Sequence, residues 1–548
     1  MLHRILLVTT ILACSSGAAR AALDDSGWTI IVPGIRQVFV SSSAGSDTGN
    51  GSSARPFKTI GRAVRAVGPG TDLLLKRGDV FYDTFGSHTW SNLTVGAYGT
   101  GDRPLVLCET TRDSALVLFN SHDLRIVDLH LAALHRDPSK SDFRLVAGQH
   151  GIYCKSCNYV LVENCLIEYF GNDITLIGGA SGFALRRCVI RNAYSDGRAF
   201  SQGIYLESQQ NALIEDCVFD ACGWNPILQA EWKRRQTTAT TSPASAPATA
   251  PVVPSWIAAL QPRAGQPFPG TPNIFNHAVY NNDTGGAGPI TIRNCVFVNS
   301  ASTGVQARAG GVIDNCLFIH NGMATDAFTE GPNGQIVHCV CLGSNECPDW
   351  AGGGGLTMMS DSGTLSANIV AHGAESEQGA ALILTMPNGI AVRPNQKASI
   401  DHNIVFDWPA DDLWIPQTRA RVRVADNVLC RTPKRVFIMT DASPASYVFD
   451  SNMYEESPGG FWWKGKPAKF DAFLAASVST SDKCVPPGSV QFPDPGRTIE
   501  SYAKAIGLPP TLHDFMAAAD QQSRDHWDVR LTAGAVNDYV RAGFGMGK

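Results

Sequence analysis

Short alternating apolar runs recur along most of the chain, separated by polar turns. One phrase repeats most clearly, as Val160-Leu161-Val162-Glu163-Asn164-Cys165-Leu166-Ile167 and Phe183-Ala184-Leu185-Arg186-Arg187-Cys188-Val189-Ile190. It returns in Ala212–Phe219, Ile290–Phe297 and Gly311–Phe318, with fainter copies around His338-Cys339, Asn368, Asn403, Asn427 and Asn452. Equivalent cysteines are 23, 29, 78, 21 and 23 residues apart, and the step of 78 contains an insertion. A period in the low twenties holds two or three short strands that cannot bury an apolar face alone, so it predicts stacked parallel coils. The Asn or Asp before each Cys is expected at a tight turn, bonding the coils above and below as a ladder. The Cys then points inward as a small apolar side chain. A leucine-rich repeat has a similar period, but its Leu-x-x-Leu-x-Leu framework is absent.

Three stretches depart from the repeat. Met1–Arg4 is basic, Ile5–Ala13 is apolar but too short to span a bilayer, and Ala19-Arg20-Ala21 has the small-x-small form of a cleavage site. Residues 1–21 therefore read as a signal peptide for an exported, periplasmic or extracellular protein beginning near Ala22. A second reading takes Ile11-Leu12-Ala13-Cys14 as a lipoprotein box anchoring the chain through Cys14, although Leu12 is bulky for it. Residues 226–272 carry no strand signal and include a Thr/Ala/Pro-rich tract, Thr237–Pro254, which predicts an insertion loop in the 22–497 solenoid. From 498 to 548 the pattern turns helical, with Thr511-Leu512-His513-Asp514 as a capping box; this tail is expected to pack on the solenoid, at its bottom or along its side.

With 44 Lys+Arg against 49 Asp+Glu among 548 residues, the net charge is −5, and no basic run exists. That balance argues against a nucleic-acid partner, and 44% hydrophobic residues argue against disorder. No later apolar segment is long enough for a transmembrane span. Export permits disulfides, with Cys154–Cys157, Cys341–Cys347 and Cys430–Cys484 as candidate pairs. Cys154-Lys155-Ser156-Cys157 lacks the second ligand pair that zinc would need, so no metal is assigned.

At this point the chain resembles the right-handed single-stranded parallel β-helix, or pectin-lyase-like, superfamily. The opening segment adds to the likeness: Val40–Asp47 and Pro56–Val64 look like a first strand and an N-terminal capping helix, and Leu73–Phe81 like the strand that follows. The resemblance spans roughly Gln37 to Asn452. It implies an all-β solenoid that is capped at both ends and has no need of a second copy, hence a monomer. About reaction it implies little, because lyases, hydrolases, epimerases and adhesins share the fold.

Registering the coils on their cysteines aligns His150–Lys155, Gln202–Glu207, His277–Asn282 and Thr303–Arg308. Alternation turns Ile152, Ile204, Val279 and Val305 inward. One outer face then carries Tyr153 and Lys155, Tyr205 and Glu207, Tyr280 and Asn282, Gln306 and Arg308, with Asn172, Asp173 and Thr175 from the remaining coil. Aromatic rings beside polar groups suit a polysaccharide chain. The leading expectation is β-elimination on a uronate polymer, with Arg308 neutralising the carboxylate, helped by Gln306 or Asn282. Tyr280 or His277 is then the base and Tyr205 the acid, with Glu207 beside them and Tyr153, Lys155, Gln202, Asp173 and Asp283 as substrate contacts. No cofactor is required. Ca2+ is an option, with Asp173, Glu207 and Asp283 as its available carboxylates.

The alternative is a glycoside hydrolase pairing Glu207 with Asp283 or Asp173. The Asn-Thr-Asp and Gly-His-Gly signatures of polygalacturonase-type hydrolases are absent, and so is the arginine pattern of pectate lyases; Asp401-His402 falls at a turn. A polymer epimerase or a non-catalytic surface protein stays open. The change of identity down the face, from Lys155 to Glu207, Asn282 and Arg308, favours a site over a uniform ladder.

Overall fold

A computed structural model describes residues 22–109, 114–240, 268–284, 287–322, 325–331, 333–344, 354–359, 362–373, 380–385, 397–415, 421–439, 447–477 and 481–547. Its strands form three sheets of 14 strands, and each coil adds one strand to each sheet. In one coil the chain runs through His150–Lys155, Asn158–Glu163 and Leu166–Glu168 before the next begins at Asn172. Below, sheet 1 is the one containing Asn158–Glu163, sheet 2 contains His150–Lys155 and sheet 3 contains Leu166–Glu168. Coil-to-coil pairing is parallel throughout, apart from a short antiparallel strand, Lys466–Ala468, at the bottom of sheet 2. A four-residue helix, Ile60–Ala63, capped by the Thr59 hydroxyl, closes the top. The segment expected as one strand over Leu73–Phe81 divides into Thr71–Lys76 and Val80–Phe81, because Gly78 turns the chain between sheets 1 and 3 (φ 77°).

The repeated phrase marks the corner between sheets 1 and 3. Asn164, Arg187, Asp216, Asn294, Asn315 and His338 all have φ between 47° and 56°, the left-handed region that Asn and Asp tolerate best. The following cysteines, Cys165, Cys188, Cys217, Cys295, Cys316 and Cys339, are buried in one column. The expected ladder forms between residues at the pre-cysteine position, Asn164 donating to Asp128 and Asn315 to Asn294. A second one lies inside it: the column of cysteines itself continues as Asn368, Asn403, Asn427 and Asn452 and ends at Asp482. Each of these asparagine Oδ1 atoms accepts from the backbone N–H of the coil before it, at 2.9–3.1 Å. Each Nδ2 donates to the next member and to a backbone carbonyl of the previous coil. An inward column can be thiol or amide, provided that every amide atom is bonded. Beside it, Phe219, Phe297 and Phe318 stack at 4.7 and 5.1 Å.

Cys154 and Cys157 are thiols, as are Cys430 and Cys484. Cys347 lies outside the described residues.

The outer face of sheet 3 is apolar, with Leu166, Val189, Val218, Val296, Leu317, Val340, Ile369 and Ile404 turned away from the core. The C-terminal tail covers it. Helices Ile499–Ala505, Leu512–Ala519 and Ala533–Gly543 bury Tyr502, Phe515, Met516, Val536, Val540 and Phe544 against those side chains. Of the two placements the sequence allowed, the tail takes the side. At its turn it meets a strap at the start of the described chain: Trp28 packs edge-on against Trp527 at 5.5 Å, with Arg187 and Arg524 over the Trp28 ring. Beneath them the buried Glu163 accepts from the Thr29 N–H and hydroxyl and from Arg186 and Arg524.

The insertion is not simply a loop. Pro226–Thr240 is helical. Leu228 is fully buried against Phe143, Tyr194 and Phe268, and Glu231 pairs with Arg234 and Arg235 on the same helix. Thr237–Thr240 ends that helix, and the rest of the Thr/Ala/Pro-rich tract lies outside the described residues. No helix among the described residues is long and apolar enough to cross a membrane.

Candidate functional site

Sheet 2 has the register read from the sequence. Tyr153 pairs with Thr175, Thr175 with Tyr205, Tyr205 with Tyr280, Tyr280 with Gln306 and Gln306 with Phe328. These side chains form one outward column, with Lys155, Ile177, Glu207 and Asn282 beside it. Between this column and the turns that enter the strands lies a groove of about 570 Å³. Tyr205, His277, Tyr280, Gln306 and Arg308 line it, with Asn172, Gln202, Thr303 and Thr325 along one edge and Phe328 at the lower end. Phe200, Ile274 and Phe275, from the longer turns, form an apolar rim; the Phe200 and Phe275 rings are 4.8 Å apart and 56% and 55% exposed.

Within the groove the rings are coupled. Tyr280 lies 5.7 Å from Tyr205 and 5.2 Å from His277, and the Arg308 guanidinium is 5.7 Å from the Tyr280 centroid. The Tyr205 hydroxyl donates to Glu207 at 2.7 Å and accepts from the Asn282 amide at 3.1 Å. Burial, and then the hydrogen bond to Glu207, push the Tyr205 phenol up to about 12, so it keeps its proton. Burial and then the neighbouring Arg308 push the His277 imidazole down to about 3, which leaves the ring neutral. Its Nδ1 is buried and has no hydrogen-bond partner among the described residues. Burial also raises the Tyr280 phenol, against the pull of Arg308.

Several expected site residues lie elsewhere. Asp173 is fully inside the solenoid, with Oδ1 accepting from the Phe170 N–H at 3.3 Å and Oδ2 unpartnered. Strict alternation fails there because the corner residue before each inner position also turns inward. At the equivalent Gly203 a Cβ would lie 2.9 Å from the Cys222 sulfur, in the core. Asp173 therefore cannot contact substrate, pair with Glu207 for hydrolysis, or join Glu207 and Asp283 as a calcium ligand. Gln202 is only 4% exposed, and both ends of its amide are engaged, with Phe275 O and His277 N. It stitches turns together beneath the groove and offers substrate no free group. Tyr153 and Lys155 lie two coils above Glu207, beyond the groove, and Asp283 is exposed at the turn after Asn282. Glu168 is buried in a strand, where it accepts from His130 and Arg191. Trp463 is buried and the Trp224 indole N–H donates to the Asn299 carbonyl, so both are structural anchors.

Glu330 was missed. It closes the strand after Arg308, is half-buried, and burial raises its carboxyl against the field of Arg308, with Asp283 adding to the rise. Extending the column one more coil, to Thr325–Glu330, would have found it.

The sequence pattern of the family described as "Right handed beta helix region" matches residues 114–237 and 277–443, more than half of the chain. The chain belongs to that family. No curated protein matches it in sequence. Among solved structures, this β-helix is similar to a GH136 lacto-N-biosidase from Eubacterium ramulus (12% identity, TM-score 0.34, 82% of this chain and 68% of that one). It is also similar to the pectate lyase Pel9A (13%, TM-score 0.36, 71% and 79%) and to the Streptococcus pneumoniae surface protein and adhesin PfbA (8%, TM-score 0.37, 81% and 99%). Family membership rests on the sequence match alone.

Proposed function

We propose that this β-helix protein is a carbohydrate-active enzyme that cleaves a uronate-containing polysaccharide by β-elimination in the sheet 2 groove. The observation that carries the reading is the convergence of Arg308, His277 and Tyr205 around Tyr280 in one groove. Arg308 makes no ion pair among the described residues, so its fork is available to a planar carboxylate. Neutralising that carboxylate acidifies the proton alpha to it. The neutral His277 takes this proton, and the pair left on carbon forms the new C=C bond as the glycosidic C–O bond breaks. Tyr205 gives its proton to the leaving oxygen and is recharged through Glu207. A bound carboxylate also offsets the Arg308 charge that helps hold His277 down, so substrate itself strengthens the base. Tyr280 and Phe328 supply faces for sugar C–H groups. Export, like the absence of any required cofactor, belongs to this proposal.

One observation favours a second reading. Glu330 is held towards its neutral form and Asp283 is exposed nearby, the division of labour between acid and base in a glycoside hydrolase. Incubating the protein with polygalacturonate, alginate and glucuronate polymers, while following ultraviolet absorbance and reducing ends together, separates the two. Absorbance rising with new ends is the expected result. New ends without absorbance would overturn elimination in favour of Glu330 and Asp283, and neither signal on any polymer would remove the enzyme reading for uronates.

A further inference from the structure

A second groove lies on a different sheet, far from the first along the chain. It occupies about 660 Å³ on the outer face of sheet 1, lined by Thr364, Lys397, Ser399, Arg421, Arg423 and Val448. The register makes it a patterned surface. Lys397 pairs with Arg421 and Ser399 with Arg423 on adjacent strands, and Thr364 pairs with Ser399 one coil earlier. Lys397 and Arg421 are thus like charges on directly opposed residues, about 4.8 Å apart across the ladder, an arrangement that destabilises a sheet unless something neutralises it. Both are exposed and neither forms an ion pair among the described residues. Arg423 pairs with Asp426 at 3.3 Å through one nitrogen, while 47% of its side chain stays open to solvent. Along these sheet 1 strands the acidic residues, Asp401, Asp426 and Asp450, sit at or just after the far ends, so among the described residues of the strands the cations lie at the starts. On a chain of net charge −5, three cations in one groove are a local inversion of sign.

We infer that this groove is a second, non-catalytic binding surface for an anionic carbohydrate chain. Three features favour a sugar acid polymer over a lone anion. The groove runs across coils as an open trough. Its guanidinium row continues into a row of hydroxyls, Ser399 donating to Thr364 at 3.2 Å, which matches a ligand carrying both carboxylates and hydroxyls. Among the described residues only one exposed apolar side chain, Val448, lines it, too little for a lipid surface. The choice of uronate as the anion rests on the reading of the sheet 2 groove, but the surface exists independently of that chemistry. It would hold the polymer to the body of the enzyme while the other groove works.

Affinity electrophoresis of the full-length mature protein through gels containing polygalacturonate or alginate, in an Arg308→Ala background to prevent turnover, tests the assignment. The parent should be retarded, and Lys397→Ser/Arg421→Ser/Arg423→Ser should weaken the retardation roughly tenfold, with the loss reproduced by added salt. All three side chains are exposed, so an unchanged melting temperature is expected. The single Arg421→Glu variant, which should cost most of the effect by itself, is the check on fold. Equal retardation of parent and triple variant, no retardation of the parent, or abolition of the effect by inorganic phosphate at constant ionic strength would each overturn the assignment. A wild-type protein that forms no unsaturated product, while the Arg308→Ala parent binds the polymer and loses that binding in the triple variant, would sink the elimination reading and leave this surface standing.

Discussion

Arg308 is the residue on which the proposed chemistry turns. Arg308→Ala should lower kcat/KM by roughly 100-fold or more, the scale seen when one electrostatic contact to a developing charge is removed. It should also relieve the second of the two causes that depress His277, so the acid limb of the pH–rate profile moves to higher pH in the residual activity. A loss of rate with the acid limb unmoved would separate Arg308 from His277. Asp412 offers a test of stability. Its carboxyl is fully buried with both oxygens unpartnered, and burial, with Asp411 and Glu455 nearby, raises its pKa well above the usual 3.8. A carboxyl raised in the fold keeps its proton while the unfolded chain releases it, so stability is lost as pH rises from the unfolded value towards the folded one. Asp412→Asn should therefore raise the urea midpoint at pH 7 and leave it nearly unchanged near pH 4, where the aspartate is protonated in both states. An equal effect at both values would refute a charge origin. That Asp412, Asp173 and Asp326 point inward was not legible, since alternation puts an aspartate outside. The corner that turns them in leaves its mark in the small residues, among them Gly151, Gly203, Ala278 and Gly304, at the same position of other coils.

Among the elements, the inward column at the corner of sheets 1 and 3 carries the clearest energetic content. Asn427 sits in the middle of its amide portion, accepting from Asn403 and donating to Asn452 and the Ile400 carbonyl. Asn427→Ala should cost about 3 kcal/mol, because it strands buried donors and acceptors on both neighbours rather than removing one contact. The check is the urea midpoint, and a change below about 1 kcal/mol would mean water replaces the amide. The phase of the coils, the inward cysteines and the sheet 2 register were readable because the Cys phrase ties every strand to one corner. The helix over Pro226–Thr240 was not. It opens on Pro, and its apolar residues are few: Leu228 is buried against Phe268, with Ile227 and Trp232 half-buried beside it, and polar residues make up most of the rest. The groove was legible in its polar floor, Tyr205, Tyr280, Gln306 and Arg308, and illegible in its rim. Phe200 and Phe275 come from turns of irregular length, where no periodicity fixes position.

On the scale of the molecule, the apolar outer face of sheet 3 makes the tail obligatory. Removing 498–548 should expose Val189, Val218, Val296 and Leu317 to water, giving a protein that associates in size-exclusion runs and melts many degrees lower. A monodisperse truncated protein with unchanged melting would mean that face tolerates solvent. The grooves lie on the other two sheets, so the tail leaves both open. A rod of stacked coils ordinarily frays from its ends, where the last coil has a neighbour on one side only. Here the strap carrying Trp28 and the tail carrying Trp527 are pinned to each other halfway along the body. The earliest and latest parts of the described chain thus form a latch across the middle, and loosening either end pulls on a contact that the other end must also surrender. To a protease the described chain is a buckled belt, and Trp28→Ala is the change that would open the buckle.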